Sequence, residues 1–65
     1  MSGNVRVTKQ IIAIITLHPE RVGGSVPIFH ARSAASLEEM ARYISRVTGG
    51  MVHELEEGTY FIVLH

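Results

Sequence analysis

The 65-residue sequence contains no cysteine. A disulfide framework, a thiolate zinc site and an iron–sulfur cluster are therefore excluded. It has no surplus of either charge: Lys plus Arg and Asp plus Glu number six each, a formal net charge of zero with His neutral. Phosphate backbones are held by a basic surplus, so nucleic acid is not an expected partner. Long apolar runs are missing too. The longest is Ile11 to Ile15, far short of the roughly 20 residues that cross a bilayer, and no direct membrane insertion is expected. No compact apolar stretch marks a signal peptide, which points to the cytoplasm. What the chain does have is apolar content, 46% of its residues, too much for a disordered tail. One domain over residues 1–65 is expected, with 1–4 flexible.

Four apolar segments and one amphipathic segment fill the chain. The first runs from about Val5 to Leu17. Its centre, Ile11-Ile12-Ala13-Ile14-Ile15-Thr16-Leu17, is β-branched and apolar at both parities, as in a strand buried on both faces. Pro19 and the pair Gly23-Gly24 mark a loop, read as a flexible hairpin connection. A second strand covers Val26 to Ala31. Pro27 cannot donate to a ladder, which places this strand at an edge.

Ser36 and Glu39 have capping-box spacing, and Leu37, Met40, Ala41, Ile44 and Val47 recur as one helical stripe. Glu38 and Arg42 stand four apart with the favourable orientation. Gly49-Gly50 supplies the stop. A hairpin closes the chain: Met51 to Leu55, a turn of two or three residues within Glu56-Glu57-Gly58, then Thr59 to His65, again apolar at both parities.

The expected fold is α+β with order ββαββ. The two most apolar strands, first and fourth, belong at the centre. This gives a four-stranded mixed sheet of order 2-1-4-3, with strands 1 and 4 parallel and a right-handed crossover through the helix. One short helix covers one face. The other face would remain apolar, and domains bury sheets between layers. A lone core below about 70 residues supplies only ~3–5 kcal/mol. A second protein surface is therefore expected on that face, either a second copy (a dimer or larger) or another protein. The expected contacts are Ile12, Ile14, Phe61 and Val63, with Gly23, Gly24 and Ser25 as a loop contact.

Little points to chemistry. The four histidines, His18, His30, His53 and His65, read as strand-end residues rather than a metal site, and no cofactor is expected. The Gly23-Gly24 loop lacks the Lys-Ser/Thr and the following helix of a phosphate-binding loop. No nucleophile–base–orienter set is visible, and the chain is too small to enclose a substrate cleft, so no enzyme activity is expected.

Three stretches carry a family resemblance: Arg21-Val22-Gly23-Gly24-Ser25-Val26-Pro27-Ile28-Phe29-His30-Ala31, Gly50-Met51-Val52-His53-Glu54-Leu55 and Gly58-Thr59-Tyr60-Phe61-Ile62-Val63-Leu64-His65. Together they resemble the capping complex subunit for YIEGIA, a family of small proteins from endospore-forming bacteria. The resemblance implies an accessory subunit that docks on a YIEGIA-like integral membrane protein, peripheral to the membrane through that partner. It implies no catalytic residues. The leading reading is a non-enzymatic interaction subunit. The alternative is a homo-oligomeric small-ligand or metal-binding sensor module, with His18, His30 and the Gly23-Gly24 loop as its contacts.

Overall fold

The computed structural model describes residues 10–65. Four strands form one sheet: β1 (Gln10–Thr16), β2 (Ile28–His30), β3 (Met51–Glu56) and β4 (Thr59–Leu64), in the order β2-β1-β4-β3. Helix α1 (Ala34–Thr48) lies between β2 and β3 in the chain. The fold is α+β, and the two strands apolar at both parities are the central ones, as expected. The part of the first segment before Gln10 lies outside the described residues.

Strand directions differ from the expectation. β1 runs antiparallel to β4 and parallel to β2. The segment 17–27 is therefore not a hairpin. It carries a short 3₁₀ turn, Pro19–Arg21, and returns the chain so that Ile28 lies beside Ile14 in the same direction. Ile14 N–H donates to Pro27 O, and Ala31 N–H to Thr16 O, both at 2.9 Å. β2 keeps the edge position that Pro27 requires, but it spans three residues only.

Helix α1 starts earlier than the Ser36–Glu39 spacing suggested. Ser33 is the N-cap, and its Oγ accepts from Ser36 N–H at 3.1 Å. Ser36 is already inside the first turn, and its hydroxyl reaches Met40 Sδ. At the other end Gly49 takes a left-handed φ of 79° and its N–H reaches Ser45 O, a conformation that favours glycine. Thr48 Oγ1 accepts from Gly50 N–H, and Ser45 Oγ donates to Gly50 O. These bonds fix the exit into β3.

The core lies between α1 and one sheet face: Ala13, Ile15, Ala31, Leu37, Ala41 and Ile62, with Met40, Ile44 and Tyr60 packed around them. Three alanines in this set let the helix approach the sheet closely. Val47, the last residue of the expected stripe, is 67% exposed, beyond the edge of the sheet contact. The i,i+4 pair Glu38–Arg42 does not form an ion pair; among the described residues the ion pair is Arg21–Glu56, at 3.7 Å.

Two bulges set the register. Ile11 pairs with Val63 but Ala13 with Ile62, so Ile12 is the extra residue of β1. Glu54 pairs with Tyr60 but Glu56 with Thr59, so Leu55 is the extra residue of β3. The hairpin turn is therefore Glu57-Gly58, with Gly58 at a φ of 88°.

Candidate partner-binding face

Side chains alternate along a strand, and paired residues share a face. Since Ala13, Ile15 and Ile62 pack under α1, their neighbours Ile14, Phe61 and Val63 point the other way. The registers then build this second face row by row. Ile11, Val63 and Met51 align across β1, β4 and β3. Ile28, Ile14, Phe61 and His53 form the next row across all four strands. His30, Thr16, Thr59 and Glu56 form the last.

The rows change in character along the strands. The last is polar and closed. Thr16 and Thr59 are fully buried, with their hydroxyls 2.8 Å apart. The connection after β1 folds in at this end: His18 N–H donates to Thr16 Oγ1, Leu17 N–H to Gly58 O, and Arg21 reaches Glu56. The first two rows are apolar and more open. Ile11 is 45% and Met51 54% exposed, while Val63 between them is 7% exposed. The His53 ring stacks on Phe61 with centroids 5.6 Å apart and 22° between planes. Ile11, His53, Phe61, Val63 and His65 line a shallow groove with no Asp, Glu, Lys or Arg among them. No element of the described residues packs on these two rows.

Ile14, Phe61 and Val63 thus sit together on this face. Ile12 does not join them: the bulge turns it to pack against the core, and Ile11 takes its place beside Val63. Gly23, Gly24 and Ser25 are exposed in the connection before β2, and Gly24 has a φ of 132°. Sequence reasoning missed Ile11, Ile28, Met51 and His53 as members of the face. The Glu57-Gly58 turn by itself would set His53 opposite Ile62, on the helix side. The bulge at Leu55, which has no signal in the sequence, moves His53 beside Phe61 and Met51 beside Val63.

The histidines are dispersed. His18 lies in the loop against Gly58, and His30 ends β2. His53 is in the middle of β3 rather than at a strand end, and His65 follows β4. Among the described residues no three His, Cys, Asp or Glu side chains gather as a metal site.

On the helix side a second cleft runs beneath α1 at the β3 edge, lined by Glu38, Arg42, Ser45, Val52, Glu54 and Tyr60, with Ala41 at its base. Partial burial raises the Tyr60 phenol above its usual range, and the nearby Glu38 and Glu54 carboxylates add to the shift, as does its hydrogen bond to Glu38.

The sequence matches a known family. The family model described as the capping complex subunit for YIEGIA covers residues 8–65. The chain belongs to that family. The family description names a subunit of a capping complex, an accessory role in an assembly. The chain is also similar to the uncharacterized protein YpzH of Bacillus subtilis (strain 168), 30% identical over 59 residues, which cover 91% of this chain and 92% of the relative. No solved structure matches it. None of the helices in the described residues is long and apolar enough to cross a membrane.

Proposed function

We propose that this capping subunit works by laying its apolar sheet face on a YIEGIA-type integral membrane protein, from the cytoplasmic side. The observation that carries the reading is the pair of adjoining rows Ile11–Val63–Met51 and Ile28–Ile14–Phe61–His53. Burying such rows is favourable by about 25 cal/mol per Å², and a small chain with one thin core gains most from a second layer. The lack of Asp, Glu, Lys and Arg side chains in the groove fits a face that becomes dry on docking. Ile14, Phe61 and Val63 form the centre of the contact and Ile11 and Met51 its rim. The exposed Gly23-Gly24-Ser25 loop lies outside it as a further contact.

The test is co-purification of the tagged chain with a YIEGIA-family membrane protein from detergent-solubilised membranes. Ile11→Asp and Met51→Asp put a charge on exposed positions of the face, where the fold tolerates it. Both are expected to abolish capture, and Val47→Asp, on the helix surface, to leave it intact. Capture that survives both face substitutions overturns the reading. Light scattering on the free chain distinguishes the other occupant: a stable dimer dispersed by Ile11→Asp means that a second copy covers the face.

A further inference from the structure

We propose that β3 is the edge at which the partner adds a strand, and that the added segment is a basic, extended loop of the membrane protein. The inference rests on the capping reading above and specifies how the docking is completed.

The two edges of the sheet are unlike. β2 offers three residues, and Pro27 before it cannot donate. Short length and proline are the usual means of blunting an edge. β3 offers six residues, Met51–Glu56, and contains neither Pro nor Lys. It pairs regularly with β4 from Met51 to Glu54 before the bulge. Among the described residues its other side ends the sheet. Leu55 is 62% exposed and Val52 39%. A strand bonded here makes main-chain hydrogen bonds and takes specificity from alternate side chains.

The area of the open face points to the same edge. Four strands span about 20 Å, and two side-chain rows about 14 Å. The footprint is roughly 300 Å², well under the ~800 Å² per partner of a stable interface. A strand added to β3 enlarges it on both sides of the sheet. Side chains on one side of that strand lie beside Met51 and His53 and continue the apolar rows. Those on the other side lie beside Val52 and Glu54, over the cleft beneath α1.

Charge selects the occupant. Glu54 on β3, Glu57 in the turn and Glu38 across the cleft outnumber the one cation that lines it, Arg42, and leave this border net acidic. Two copies joined antiparallel through Val52, His53 and Glu54 would bring their Glu54 carboxylates within about one Debye length, ~10 Å, of each other. At that diagonal spacing the two carboxylates repel each other weakly, and salt screens the repulsion further. A segment with Lys or Arg beside Glu54 is attracted instead. Cytoplasmic loops of membrane proteins carry an excess of Lys and Arg.

The experiment is hydrogen exchange on the full chain, alone and with a purified YIEGIA-family membrane protein in detergent. The outward-pointing amides within Met51–Glu54 are expected to gain at least tenfold protection in the complex. Glu54→Lys, with helix content checked by circular dichroism, is expected to weaken binding at least tenfold, by a factor that shrinks as salt rises. A complex whose β3 amides exchange as in the free chain overturns the strand addition and leaves the face reading standing. A complex that Glu54→Lys does not weaken overturns the basic segment. Protection of the same amides in the free chain, growing with its concentration, assigns the edge to a second copy and overturns the proposal. If the wild-type chain forms no complex, the capping reading falls and this inference with it.

Discussion

The hydroxyls of Thr16 and Thr59 lie 2.8 Å apart, and both side chains are fully buried on the sheet face away from the helix. They share a row of the central β1–β4 pair. Thr16 Oγ1 accepts from His18 N–H as well, so one side chain ties both central strands to the start of the connection toward β2. That bond fixes where the chain leaves β1, and with it the closed, polar end of the candidate face.

The two threonines are therefore not equivalent. Thr16→Val strands the Thr59 hydroxyl and the His18 N–H together, and about 1–3 kcal/mol of destabilisation is expected, the cost of leaving buried polar groups without partners. Thr59→Val leaves Thr16 still accepting from His18, and about 1 kcal/mol is expected. Urea unfolding of the two single variants and the double variant checks this. The double variant should cost less than the sum of the singles, because each single already breaks the shared bond.

Helix capping gives a second contrast. Ser33 Oγ holds Ser36 N–H, whereas the Ser36 side chain only touches Met40 Sδ. Ser33→Ala is expected to cost about 1 kcal/mol. Ser36→Ala keeps the amide that matters and should change stability by a few tenths of that, in either direction. Equal losses in thermal or urea unfolding would return the cap to Ser36.

Much of this architecture was legible because of where apolar residues sit at both parities. Ile11–Leu17 and Thr59–Leu64 can only be central strands, and that alone orders the sheet. Strand direction was not legible in the same way. It depends on how the 17–27 connection folds, and a Pro and two Gly are as compatible with a return loop as with a hairpin. Here the His18–Arg21 turn and the Thr16–His18 bond decide it. The bulges were hidden for a related reason. In Ile11-Ile12 two like residues adjoin, so slipping one past the other leaves the apolar pattern unchanged while moving Ile12 from one face to the other. Phe61 and Val63 escape this ambiguity because β4 runs unbroken between its two bulged neighbours.

Gly50, in the connection from α1 to β3, has no room for a side chain. A Cβ there would meet Ile62 Cγ2 at 2.5 Å and Val63 O at 3.1 Å, and Ile62 is fully buried and cannot yield. Gly50→Ala is expected to cost about 1–3 kcal/mol by overpacking. Gly49→Ala meets open space but must hold a φ of 79°, a strain of about 1–2 kcal/mol. The two losses differ in kind. Only Gly50→Ala should shift β4, which chemical-shift changes at Ile62 and Val63 would show.

Tyr60 provides a pH test of the cleft beneath the helix. Burial, then the Glu38 and Glu54 carboxylates, and the hydrogen bond it donates to Glu38 all favour the neutral phenol. The folded chain therefore holds this proton more tightly than the unfolded chain does. By linkage, the stability it contributes is fully present below the ordinary phenol value of about 10 and is lost as pH rises through the raised folded value. Glu38→Gln removes one negative charge and weakens the hydrogen bond, so the Tyr60 titration should move down toward that ordinary value. The alkaline loss of stability should become shallower with it. Phenolate absorbance in a Tyr43→Phe background, which leaves Tyr60 as the remaining tyrosine, measures the titration directly. An unmoved Tyr60 titration would mean that Glu38 does not hold the phenol. The cleft beside Glu54 would then be more open to an incoming cationic side chain than its geometry suggests.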